Sequence, residues 1–196
     1  MKILIAIPTF ENITPETFKS IYDLYVCDNE ADFEFVKGYD CAKARNAIAS
    51  KTINGGYDYV LFVDSDIILP PETLMYFLEK PVPVCFGVYP HKNSKDGKAE
   101  LFKDGTSSFE LRFPYKQLDE LPNRIRVKGA GFGCAFVSKS VLQKMKYPYF
   151  QYIQYMNGTF LSEDLYFCDE ASKKHIELWA DTRVRCGHLA RYFQYE

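Results

Sequence analysis

The sequence predicts a single α/β domain, a Rossmann-like arrangement in which a mixed, mainly parallel central sheet is flanked by helices. Three observations carry this expectation. Apolar runs of β-branched and aromatic residues at 3–7 and 59–63 have the character of strands covered on both faces. Segments with helical spacing and good caps follow such runs, so that strand, loop and helix alternate. The 196 residues, 47% of them hydrophobic, suffice for one well-filled core and are short for two.

Residues 2–7 read as the first strand and 8–12 as a loop at its carboxyl end. The apolar run is too short for a secretory leader and meets Pro8-Thr9 without a small-residue cleavage site. Thr14 is placed to cap a helix that opens on Pro15, with Phe18, Ile21, Tyr22 and Tyr25 at helical spacing. Residues 32–37 alternate in part like a second strand. Asp40 then caps a helix over about 41–51, whose alanines at 42, 44, 47 and 49 let it lie close to a sheet. Gly55-Gly56 end it and lead to the strand at 59–63.

A helix is expected over 71–80, because proline lacks an N–H that would be unpaired in a first turn and Glu72 complements the dipole. A strand near 83–88 follows. Residues 91–123, rich in Lys, Asp, Gly and Ser, predict a hairpin or excursion in place of another αβ unit. Short strands at 125–128 and 134–137 surround Gly129-Ala130-Gly131-Phe132-Gly133. That cluster lacks the third glycine of a dinucleotide fingerprint, where Cys134 stands, and reads as backbone that turns sharply or approaches something closely. Ser138 caps a helix carrying Val141, Leu142 and Met145. Ser162 caps another running to about 174, and strands at 177–180 and 183–186 precede Gly187-His188.

A net charge of −2 and a pI near 6.0 offer no broad attraction to nucleic acid or to an anionic membrane. No run has the length of a transmembrane segment. The six cysteines, without a C-x-x-C pair, read as reduced and mostly buried thiols of a cytoplasmic protein.

Four polar features fall at element ends. Asp64-Ser65-Asp66 closes the strand at 59–63, and two carboxylates spaced i, i+2 there suit either a hard cation or a solvated turn. Glu163-Asp164 suits dipole compensation as well as chemistry. His188 suits a structural imidazole as well as a ligand, and the segment 9–12 borders the same sheet end. The aromatic stretch 147–155 fits platforms for sugar rings, ordinary packing or a subunit contact.

The ordered set Ile7-Pro8-Thr9, Ala44-Arg45-Asn46, Asp64-Ser65-Asp66, Gly131-Phe132-Gly133, the run from Ser162 to Cys168 and the run from Asp181 to His188 resembles GT-A-fold glycosyltransferases, particularly family-2-like members. The resemblance spans nearly the whole chain. It implies a nucleoside-diphosphate sugar as donor, a divalent cation (Mn2+ or Mg2+), and a glycan or other hydroxyl acceptor. By that resemblance Asp64, Asp66 and His188 would hold the metal, with Asp64 shared with the ribose or sugar. Pro8, Thr9, Glu11, Arg45, Asp64 and Ser65 would border the donor. Asp164 would be the general base of an inverting reaction, and Glu163 would support acceptor or helix geometry. Residues 1–90 would form the nucleotide-binding half and 91–196 the acceptor and catalytic half. Two other readings stay open: a catalytically silent nucleotide-sugar or carbohydrate-binding module, and a sugar-nucleotide nucleotidyltransferase. The second would call for a glycine-rich, basic loop after the first strand, which residues 8–12 do not supply.

Overall fold

In the computed structural model, which describes residues 1–10, 12–38, 40–92, 97–104, 109 and 111–189, the chain opens with two turns of strand and helix. These are β1 (Lys2–Thr9), α1 (Pro15–Tyr22), β2 (Glu30–Lys37) and α2 (Cys41–Asn54). There follow β3 (Tyr59–Val63), β4 (Ile67–Ile68), α3 (Thr73–Glu79), β5 (Val84–Val88), β6 (Lys98–Lys103) and β7 (Arg112–Pro114). A 3-10 turn over Tyr115–Glu120 leads to β8 (Arg124–Ala130), β9 (Cys134–Ser138) and α4 (Lys139–Lys144). The chain then forms β10 (Ile153–Gln154), β11 (Phe160–Leu161), α5 (Glu163–Lys173), β12 (Leu178–Arg185) and β13 (Gly187–His188).

Among the described residues the main sheet has nine strands in the order β2-β1-β3-β9-β5-β12-β8-β6-β7. β1 pairs in parallel with β2 and β3, and β5 with β12; β9 lies antiparallel between β3 and β5. The mixed sheet is thus as expected, with the hairpin β6–β7 added to it through β8. Both faces are covered. Leu4 and Ala6 of β1 face a core shared with Ile48 and Ala49 of α2, while Ile3, Ile5 and Ile7 face one shared with Ile21, Leu74 and Phe77. Double burial explains why these strands read as unbroken apolar runs.

The caps are where the sequence predicts them. Thr14 accepts from Thr17 N, Asp40 from Lys43 N and Ser138 from Val141 N. Three boundaries differ. β1 runs on through Thr9, taking Pro8 and Thr9 out of the loop. The helix expected at 71 starts at Thr73, because the Pro70 carbonyl accepts from Thr73 N in a turn and the Pro71 carbonyl accepts from Tyr25 N. The two final strands are one irregular strand, whose pairing with β5 shifts between Ala180 and Arg185 while Thr182 N donates to Asn123 O. No helix among the described residues is long and apolar enough to cross a membrane.

A nest of buried aromatic rings lies under the carboxyl end of the sheet. Phe132 packs edge-on against Phe62, Phe86, Phe150 and Phe167 at centroid separations of 4.8–5.5 Å. Each such ring adds about 1.5–3 kcal/mol of burial, which makes a rigid floor for polar groups above it.

Candidate active site

Arg45 is the buried hub of that end. Its side chain is 3% exposed, sits 5.6 Å above the Phe132 ring, and bridges Asp64 at 2.7 Å to Glu163. α2, β3 and α5 therefore meet at one guanidinium. Burial opposes the charge on Arg45, but Asp64, Cys41, Glu163 and Asp164 around it outweigh that and hold its pKa above the ordinary value. Its Nε finds no hydrogen-bond partner among the described residues. Glu163, also buried, accepts from Arg45, and its charge is felt by the Tyr152 hydroxyl and the Cys41 thiol nearby. Burial, joined by the charges of Asp64 and Glu163, pushes the Cys41 thiol up to about 12, although Arg45 pulls the other way. Buried and paired with Arg45, Glu163 is an anchor.

Asp66 and His188 are brought together by the small pairing of β4 with β13, in which His188 lies opposite Ile67. Leu189 N donates to Asp66 O at 2.9 Å and fixes the approach. His188 Nδ1 lies 2.8 Å from Pro90 O. A carbonyl only accepts, so in the neutral ring Nδ1 carries the proton and Nε2 presents its lone pair. Nε2 faces Asp66 Oδ1 at 3.8 Å. Asp66 Oδ2 is taken by the ammonium of Lys92. Among the described residues no three His, Cys, Asp or Glu side chains form a group that could hold a metal ion. One carboxylate and one imidazole nitrogen would suit a cation such as Mn2+ that takes further oxygen ligands from phosphate and water.

Asp164 opens α5. Its Oδ1 accepts from the Ser162 hydroxyl and from Leu165 N at 2.7 Å, while Oδ2 accepts no hydrogen bond from a described residue. Ser162 holds the expected N-cap position, yet its side chain donates to Asp164 and does not accept from the helix. Burial raises the Asp164 pKa and Glu163 adds to that, against the opposing charge of Arg45.

Tyr89, which sequence reasoning passed over, stands between these groups. It is 4% exposed, its ring meets His188 edge to face at 5.2 Å, and its hydroxyl accepts from Gly133 N at 3.0 Å. Burial raises its pKa, and the charges of Asp64 and Asp164 raise it further. A side chain at Gly131 would place Cβ 2.2 Å from that hydroxyl, and one at Gly133 would meet the ring at 2.8 Å. The glycine cluster was the signal: its backbone must approach something closely, and that something is Tyr89.

At the end of β1, Pro8 and Thr9 line a hollow of about 200 Å³ together with Phe10, Asp40, Cys41 and Ala44. Thr9 Oγ1 donates to Asn12 O at 2.7 Å, and the Ser65 carbonyl accepts from Thr14 N at 3.1 Å. Glu11 lies outside the described residues. Arg45, Asp64, Asp66, Glu163, Asp164 and His188 are brought to one end of the sheet; Asp64 turns its Oδ1 to Arg45 and not to the Asp66–His188 pair.

The mixed sheet wound in this order is shared with solved structures of GT-A-like fold. The chain is similar to the crystal structure of A197 from STIV, with a TM-score of 0.67 and 19% identity over 97% of this chain and 86% of that one. It is similar also to GalNAc-T7, solved with UDP, GalNAc and Mn2+, with a TM-score of 0.65 and 11% identity over 98% of this chain and 45% of that one. The chain thus spans less than half the length of the GalNAc-T7 chain. At these identities the likeness establishes the fold. No protein-family model and no curated protein sequence matches the chain, so the narrower family-2 likeness is without support.

Proposed function

We propose that the protein is a metal-dependent glycosyltransferase that moves a sugar from a nucleoside diphosphate to a hydroxyl acceptor with inversion. The observation that carries this reading is one sheet end holding a lone-pair nitrogen of His188 turned to Asp66, beside a carboxylate, Asp164, with one oxygen uncommitted among the described residues. The GT-A fold supports it, as does the UDP, GalNAc and Mn2+ held by the similarly folded GalNAc-T7.

The chemistry asks for two things. An acceptor hydroxyl must lose its proton as its oxygen attacks the anomeric carbon, and the bond from that carbon to the phosphate oxygen must break with its electron pair leaving on the diphosphate. Asp164 Oδ2 is the site that takes the proton, and its raised pKa brings it nearer the range useful to a base. Asp66 and His188 would hold the divalent cation, which when bound neutralises charge growing on the leaving group. Pro8 and Thr9, in the hollow beside α2, would border the nucleoside within residues 1–90, while 91–196 supply the acceptor side and the base. Arg45 orients Asp64 and Glu163 and keeps them from repelling one another.

One observation favours the silent binding module: both strand-end aspartates already face protein cations, Asp64 facing Arg45 and Asp66 facing Lys92. A panel of nucleotide sugars with and without Mn2+ separates the two. The transferase reading expects a rise in melting temperature that needs nucleotide and metal together, with release of nucleoside diphosphate. Stabilisation without release assigns the module. No metal-dependent stabilisation by any donor overturns the transferase, and no stabilisation at all, with or without metal, overturns both.

A further inference from the structure

The segment 147–162 carries six aromatic residues and no charged one, and it runs directly into Glu163 and Asp164. Its central part is the hairpin β10–β11, where Ile153 pairs with Leu161 and Gln154 with Phe160. Most of its apolar surface is turned outward: Phe160 is 61% exposed, Tyr155 49% and Tyr152 42%. Tyr152 and Phe160 stack with their rings 20° from parallel at 5.6 Å. The pair lies near the site: burial first, and then the charge of Glu163, the partner of Arg45, raise the pKa of the Tyr152 hydroxyl. Beside the rings, Gln151 and Gln154 are exposed, and their amides bond to no side chain or backbone group among the described residues.

We infer that this hairpin is the acceptor platform and that its occupant is a neutral pyranose ring of a carbohydrate acceptor. The inference rests on the transferase reading above and names the substrate class for it. Three features select this occupant. A pyranose has an apolar face of C–H groups that suits a flat aromatic pair, and hydroxyls that suit free amides. An anionic lipid surface or a nucleic acid calls for lysine and arginine, and the segment has neither. A ring docked here is delivered to the Asp164 carboxylate, since Phe160 lies on the strand that precedes α5 by one residue.

The test uses the full chain and saturation-transfer NMR with methyl glucoside, methyl galactoside and methyl N-acetylglucosaminide, irradiating the aromatic protons. Transfer to at least one glycoside is expected. Phe160→Ala, at an exposed position, should keep its melting temperature and weaken that binding by roughly three- to tenfold; Tyr152→Phe, which keeps the ring, should weaken it far less than Tyr152→Ala. Absence of transfer from every glycoside overturns the inference, as does equal binding by wild type and Phe160→Ala. Phe160-dependent binding of phosphatidylcholine vesicles or of an unglycosylated peptide, with none of the glycosides, would hand the surface to a membrane or a protein. A parallel titration with a panel of nucleoside diphosphates and Mn2+ reports the transferase reading alone. Glycoside binding with no nucleotide binding breaks that reading and leaves the platform; the reverse breaks the platform only.

Discussion

Two acidic clusters share the end of the sheet and are built differently. Around Arg45 the network is closed: the guanidinium is buried and holds both Asp64 and Glu163, of which Glu163 is buried with it. Around Asp66 it is open: His188 keeps a free lone pair, and the other partner is the ammonium of Lys92, whose side chain is 42% exposed. A closed network of buried charge gives a fixed geometry. An open pair at partial exposure is what can exchange a protein cation for a ligand.

The comparison breaks first at Arg45. Arg45→Ala leaves two carboxylates facing each other without compensation and is expected to cost about 3–5 kcal/mol of stability, read from the urea midpoint. Arg45→Lys should recover little of this, because an ammonium cannot span Asp64 and Glu163 as a planar fork does. A midpoint unchanged by Arg45→Ala would show that the hub is not structural.

Asp164→Asn comes second. Transfer should fall by about 10²–10⁴-fold while UDP and Mn2+ still bind in calorimetry; undiminished turnover removes Asp164 as base. Stability should move the other way. Because the folded pKa lies above the ordinary 3.8, the folded state holds this proton to higher pH than the unfolded chain. Stability therefore falls as pH rises from 3.8 through the folded value and stays lowered above it. Asp164→Asn should melt higher than wild type at about pH 7 and match it near pH 3. For the wild-type protein, the acid limb of any transfer rate should lie above 3.8.

The open pair gives the smaller effects. His188→Ala should weaken Mn2+ binding, followed by electron paramagnetic resonance in the presence of UDP, by at least about tenfold, with little change in melting temperature. Equal affinity would take His188 out of the metal shell. Lys92→Ala removes the competing ammonium and should tighten Mn2+ by a few-fold, about 1 kcal/mol at most for a partly exposed pair; weaker binding would instead make Lys92 part of the ligand site.

Much of the closed cluster was legible residue by residue, but its wiring was not. The resemblance marked Arg45, Asp64 and Glu163, yet no spacing within α2, β3 or α5 says that one guanidinium joins them. Tyr89 was invisible for another reason: it directly follows the apolar strand Val84–Val88 and reads as one more buried ring. Only its effect on Gly131 and Gly133 betrayed it. The exposed faces were misleading in the opposite sense. Phe18 and Tyr22 fall at helical spacing for a core, but α1 buries Thr17, Ser20 and Ile21, and the two rings lie 53% and 77% exposed. Ser20 is drawn inward by Leu69 N, whose bond to its hydroxyl at 3.0 Å fixes which side of α1 meets the sheet.

What the sequence by itself determined is local: the doubly buried strands, the caps at Thr14, Asp40 and Ser138, and the acidic pair at the end of β3. Each depends on neighbours a few residues away, and chain chemistry at that range is readable. What only the tertiary structure decided is which distant groups share a space. Asp66 meets His188 because two residues of β4 pair with two of β13, and Arg45 reaches Glu163 because α2 and α5 pack over the same aromatic floor. Those contacts follow from strand order, which the chain settles only when the whole sheet closes its two cores.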